Sequence, residues 1–96
     1  MLNKLKIALL KARKEKDALR VSVLGFLLSA IHNKEISLRG KDETFGDEHI
    51  AQVINTQIKQ RKESIEQYTA GGRKDLADQE TRELGVLEEI SREYIQ

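Results

Sequence analysis

The sequence predicts a small all-α bundle of four main helices, the third and fourth forming an antiparallel hairpin. Three observations carry this. The 96 residues contain no proline, and Leu, Ile, Ala, Glu, Lys, Gln and Arg are abundant, a composition that favours helix. Apolar residues recur at three- and four-residue intervals and do not alternate. Gly40, Gly46 and the pair Gly71-Gly72 stand where that periodicity lapses. A chain this short makes one domain, residues 1–96, and buries only about 60–68% of its unfolded surface, so its core is modest.

The first helix is expected from roughly Asn3 to Arg13, with Leu2, Leu5 and Leu9 at i, i+3 and i+7. The second opens at Asp17, a good N-cap, and runs to about Leu38. Val23, Leu24, Leu27, Leu28 and Ile31 give it a wide apolar face, which marks it as the centre of the bundle. Gly25 and Ser29, four apart, are small enough to let another helix approach closely. Residues 39–46 read as the one substantial loop. Thr44 or Asp47 opens the third helix, and Thr44-Phe45-Gly46-Asp47 approximates a capping box with Asp in place of Glu. Its buried stripe is Ile50, Val53, Ile54, Ile58, Ile65 and Tyr68. After the Gly71-Gly72 break, Asp75 serves the first turn of a last helix reaching Tyr94, with Leu76, Leu84, Leu87 and Ile90 at helical spacing. So short a turn makes the last two helices antiparallel neighbours.

Net charge is +1, but residues 1–41 carry +7, residues 42–74 carry −1 and residues 75–96 carry −5. Such asymmetry suits a charged partner on the basic side, or two ends that neutralise one another in the folded bundle. Without cysteine there is no disulfide, thiol nucleophile or thiolate metal site. The apolar run Ile7–Leu10 falls short of the about 7–15 residues of a signal peptide. Val21–Ile31, broken by Ser22, Gly25 and Ser29, falls short of the ~20 that span a bilayer. The chain therefore reads as soluble and cytoplasmic, with no membrane partner. Four aromatic side chains are too few for a platform that stacks successive bases.

No constellation of catalytic residues is legible. The glycines form no phosphate-cradling loop, and no serine sits in a nucleophile elbow. His32 and His49 lie on different helices without metal-ligand spacing and read as solvated or capping residues. The many carboxylates read as solvated helix faces with partners one turn away. The expectation is a chain with no catalytic residue, no metal and no cofactor.

Two arginines are more informative. Arg61 falls on the apolar stripe of the third helix, and Arg20 lies one turn before Leu24 on the second. An arginine in such a stripe must be paired or must carry its head out to water. Counting outward from Gly71-Gly72 sets Arg61 opposite position 82, so Glu80 or Glu83 is its expected ion-pair partner. Lys59, Arg61 and Lys62, then Arg73 and Lys74, could join Lys11, Arg13, Lys14, Lys16 and Lys34 in a basic surface suited to a phosphate backbone.

Four stretches resemble the GatB/YqeY family: Lys16–Leu24, Ala30–Ile36, Ile58–Ile65 with its box Lys59-Gln60-Arg61-Lys62-Glu63-Ser64, and Tyr68–Leu76 with its turn Ala70-Gly71-Gly72-Arg73, leading into Glu80. Order and spacing match over essentially the whole chain, and the box with its following turn is the most specific part. The resemblance implies an all-helical domain similar to the C-terminal region of the B subunit of the tRNA-dependent amidotransferase. That enzyme converts misacylated Glu-tRNA or Asp-tRNA to its amide form, with its chemistry in other domains and the helical and tail regions holding tRNA. It implies a non-catalytic module that helps bind tRNA or another amidotransferase-type protein. Alternatives are an oligomerising helical bundle and a part of a glutamine-dependent carbon–nitrogen ligase. Arg20, Lys59, Arg61, Lys62 and Arg73 match family positions and, with Lys34, form the candidate nucleic-acid-binding set. The family also implies a tail domain beyond Gln96, so the 96 residues read as the first of two domains.

Overall fold

The computed structural model describes residues 1–95, in four helices: α1 (Leu2–Lys14), α2 (Ala18–Gly40), α3 (Asp47–Ala70) and α4 (Lys74–Tyr94). Gln96, the last residue of the expected domain, lies outside the described residues. No strand occurs among them. α2 packs against each of the other helices, and α3 and α4 make the most extensive pairing. The apolar face expected on α2 explains this centrality. Val23, Leu24, Leu27 and Ile31 are buried against Leu5 and Ala12 of α1, Ile50 and Ile54 of α3, and Leu87 and Ile90 of α4.

Three helix ends close in the same way. After α1, α2 and α3 a residue enters the left-handed region, Lys16 (φ 57°), Asp42 (φ 59°) and Gly72 (φ 74°). The next N–H then reaches back five residues: Asp17 to Ala12 O at 2.9 Å, Glu43 to Leu38 O at 2.9 Å and Arg73 to Tyr68 O at 2.8 Å. This six-to-one bond satisfies carbonyls that the helix end would leave orphaned. Asp17 then caps α2, its Oδ1 accepting from the Arg20 N–H at 3.1 Å.

One boundary and one cap differ from expectation. α2 continues through Arg39 and Gly40 because Glu35 and Arg39 pair one turn apart at 3.0 Å, and the stop is set by the backbone of Asp42. The loop is therefore 41–46, not 39–46. Neither Thr44 nor Asp47 caps α3. Gly46 is the N-cap, and its N–H donates to His49 Nδ1 at 3.0 Å while the His49 N–H donates back to Gly46 O at 3.0 Å. Phe45 stacks on the His49 ring at 5.9 Å, which holds the imidazole over the helix start.

The stripe of α3 is buried only in its first half. Ile50 and Ile54 are inaccessible, Val53 and Ile58 half-buried, and beyond Arg61 no residue of α3 is buried. That distal part of the hairpin projects past the core, and the molecule is accordingly elongated, 45 × 32 × 23 Å. No helix among the described residues is long and apolar enough to cross a membrane.

The close approach expected at Gly25 and Ser29 is absent. Ser29 is exposed, and a Cβ added at Gly25 would meet nothing within 4 Å. Gly25 is thus a helix-interior glycine with no packing role. Gly25→Ala is expected to stabilise the fold by about 0.5–1 kcal/mol, read from the urea midpoint at unchanged m value. Destabilisation would mean that a helix does pack there.

Candidate functional site

The Gly71–Arg73 turn returns the chain so that one face of α4 lies along α3, and Glu80 and Glu83, three apart, share that face. Arg61 Nη1 donates to Glu80 Oε2 at 3.2 Å and also bonds Glu83 Oε2. Glu83 Oε1 accepts from Gln79 Nε2 at 3.2 Å, which fixes the carboxylate. The Arg61 side chain is only 12% exposed. Its guanidinium carbon stands 5.8 Å from the centroid of Phe26 on α2, so three helices meet at this one cation. Nε and Nη2 make no hydrogen bond among the described residues.

Beside this cation is a cavity of about 280 Å³ whose walls include Ser22, Phe26, Gln57, Gln60 and Ser64. A second cavity of about 670 Å³ shares Phe26, Gln57 and Gln60 and continues past Asn33 and Lys34. Together they form one groove between α2 and α3, ending on Arg61 at one side and Lys34 at the other. Phe26 is 62% exposed on it. Gln57 is 4% exposed, and its Oε1 is buried without a partner.

The six candidate residues fall in separate places. Arg61 and Lys34 share the groove. Lys59 and Lys62 are exposed on α3 and line neither cavity. Arg73 lies at the α3–α4 turn, where its Nη2 is 3.4 Å from Asp75 Oδ2. Arg20 lines a third cavity of about 450 Å³ between α1, α2 and α4. There Nη2 is 2.5 Å from Glu89 Oε1 and Nε is 3.5 Å from Asp17 Oδ2. The hydrogen bond to Glu89 lifts the Arg20 pKa above its ordinary value. At the same end, burial and the Glu93 charge lift the Tyr94 hydroxyl above 10.0, with Arg20 opposing. His49 caps α3, His32 is exposed, and no group of three or more potential metal ligands exists among the described residues.

Phe26, Gln57 and Gln60 escape a reading of the sequence alone. Gln57 stands three residues after Ile54 and four before Arg61, on the buried face, but hydropathy passes over a carboxamide. Phe26 lies one helical step from the buried Leu27 and outside the apolar face read from the sequence, so nothing marks it.

The model of the family described as Yqey-like protein matches residues 2–95. The chain belongs to the YqeY-like family. Among curated proteins it is similar to the "Altered inheritance of mitochondria protein 41, mitochondrial" of three yeasts. The Lachancea thermotolerans protein is 39% identical over 83 residues, 86% of this chain and 43% of the relative. The Saccharomyces cerevisiae S288c protein is 38% identical over 84 residues, covering 86% and 44%. The Kluyveromyces lactis protein is 39% identical over 85 residues, covering 88% and 44%. The YqeY-like chain thus spans less than half the length of the curated relatives it matches. Their mitochondrial names correct the cytoplasmic reading. The physical reason is that missing cysteines exclude disulfides in every compartment and so carry no address.

Two outcomes follow from the site. Arg61→Leu leaves two carboxylates facing each other in a half-dry seam and should destabilise by about 1–3 kcal/mol, less than a fully buried pair because water reaches the site. A double-mutant cycle with Glu83→Gln should show coupling, and a coupling energy of zero would remove the pair from the stabilising interactions. Separately, the raised Tyr94 pKa means that the fold favours the neutral phenol. Its contribution to stability is complete below 10.0 and is lost as pH rises through the higher folded value. Tyrosinate absorbance in a Tyr68→Phe background should titrate above that of free tyrosine, and Glu93→Gln should narrow the gap.

Proposed function

We propose that this YqeY-like chain is a non-catalytic helical module that binds tRNA, in the service of amidotransferase-type chemistry carried out by partner proteins. One observation supports this reading above the others. Lys34, Lys59 and Lys62 make no ion pair among the described residues, whereas Arg20, Arg61 and Arg73 are each engaged by a carboxylate. Lysines on a folded surface with no internal partner are available to phosphates, and phosphate binding needs no aromatic platform. The arginines of the candidate set hold helices together in this reading, and the lysines do the binding.

A second reading, an oligomerising bundle, has its own observation: Ile7 and Leu10, one turn apart on α1, are 64% and 62% exposed. Sedimentation over a wide concentration range separates the two, since a monomer throughout leaves that apolar pair without a self-partner.

Binding to bulk tRNA at increasing salt tests the main reading. The log–log slope should be steep, about −0.7 to −0.9 per phosphate engaged. Replacing Lys34, Lys59 and Lys62 by Ala should weaken binding and flatten the slope by about one unit for each phosphate that is no longer neutralised. Absence of binding at low salt would end the proposal.

A further inference from the structure

The outer face of α1 serves neither the core nor the α2–α3 groove. Leu5 and Ala12 are buried, and Ala8 and Leu9 are half-buried beside them, so this side of the helix faces the bundle. At 3.6 residues per turn the opposite side carries Asn3, Ile7, Leu10 and Lys14, all of them exposed. Lys4 and Lys11 flank that stripe on one side, and Lys6 and Arg13 flank it on the other. Over residues 2–16 six cations stand against one acid, Glu15, which lies 3.8 Å from Lys11. Lys4, Lys6, Arg13 and Lys14 make no ion pair among the described residues. Of the acids that share cavities with α1, Glu35 is held by Arg39, Glu89 by Arg20 and Asp47 by the Met1 amine. Glu93 stands near Arg20 and Tyr94. The face is therefore a cationic one with two aliphatic side chains at its centre.

That combination restricts what can cover it. Nucleic acid would satisfy the cations and leave Ile7 and Leu10 wet, and the stripe has no aromatic ring for a base. A second copy that met this face with its own would set like charges together. Meeting it with another face would make a contact that does not close. Interfaces between proteins are in general depleted of lysine, which is abundant here. A layer of anionic lipid answers both requirements at once. Acyl chains take the aliphatic pair and phosphates meet the cations, while lysine stems lie along the apolar boundary with their heads in water.

We propose that α1 is a peripheral membrane contact, lying flat on an anionic phospholipid surface. Ile7 and Leu10 enter the headgroup boundary, and Lys4, Lys6, Arg13 and Lys14 meet the phosphates on either side. With 13 residues the helix is about 20 Å long, enough to set both ends of the cationic rim on the surface. A helix in the interface plane needs one apolar stripe and no spanning run, so the lack of a spanning helix among the described residues does not bear on it. Two aliphatic side chains are too few for permanent anchoring, and the contact is reversible. It is independent of the tRNA reading, whose lysines lie on α2 and α3.

Flotation of the intact chain with vesicles tests it, comparing phosphatidylcholine alone with a mixture that contains phosphatidylglycerol. The chain should float with the anionic vesicles, stay behind with the neutral ones, and be released by salt. Lys6→Gln and Lys14→Gln, at exposed positions, should each weaken partitioning about fivefold. Ile7→Ser combined with Leu10→Ser should weaken it at least about tenfold at unchanged helicity. The chain has no tryptophan, so Leu10→Trp supplies a single reporter. Its emission should shift to the blue on anionic vesicles and not on tRNA. Equal flotation with both kinds of vesicle, or with neither, would overturn the proposal. So would flotation that the double serine variant leaves intact, since the face would then be a charged surface only. A dimer in sedimentation that this variant makes monomeric, with no flotation, would assign the face to a second copy and refute the lipid contact.

Discussion

The Arg61 guanidinium, held between Glu80 and Glu83, is the interaction on which the rest of the molecule is arranged. It marks where the apolar core ends. Up to Gln57, α3 is sealed against α2 and α4 by side chains such as Ile50 and Ile54, and beyond Arg61 none of its residues is buried. A cation at that boundary cannot be left bare, so α4 must offer carboxylates there. The two that it offers, three residues apart, set the register of the hairpin. The same guanidinium reaches Phe26, tying the projecting hairpin to the central helix. Hairpin register, the floor of the groove and the position of the exposed ring therefore share one anchor.

The uneven charge of the chain is partly neutralised within the fold. The basic front and acidic end do meet inside the fold, through Arg20 and Glu89, and the Met1 amine lies 3.7 Å from Asp47. Arg20, Arg39, Arg61 and Arg73 are all paired with carboxylates. Guanidinium suits this, being planar, weakly hydrated and able to fork. Lys34 on the groove and Lys59 and Lys62 along α3 have no such partners among the described residues, as suits compact, strongly hydrated charges left at the surface. The division holds for these residues and not for the two residue types, since Lys11 pairs with Glu15 at 3.8 Å and Arg13 and Arg82 make no ion pair among the described residues.

How much of this the sequence discloses depends on the range of the interactions. All four helices are legible, because periodicity and the Gly71-Gly72 break are local signals. The α3 start at Asp47 is one of the two expected, but its cap is misread because Gly46, with no side chain, is paired with the ring of His49 three residues on. Gly25 is misread because a small residue signals close packing only when a helix is present to approach it, and none does. The two carboxylates facing Arg61 follow from counting along a hairpin, whereas the groove does not. It depends on Phe26 turning outward from a helix whose neighbouring residues turn inward, a matter of a single helical step that no linear pattern resolves.

Gln57 is the one buried polar side chain among the described residues. Every other buried side chain described is apolar, and the backbone ends of three helices are closed by complete hydrogen-bond motifs. A chain that satisfies its helix ends so fully, even by placing Lys16 in the left-handed region, has ample means to satisfy or replace one carboxamide. The core around Val23, Leu27, Ile54 and Leu87 is built from apolar side chains without Gln57. The Gln57 amide is set on the wall between an outward-facing phenylalanine and an arginine already held by two carboxylates, where the apolar core gives way to charge.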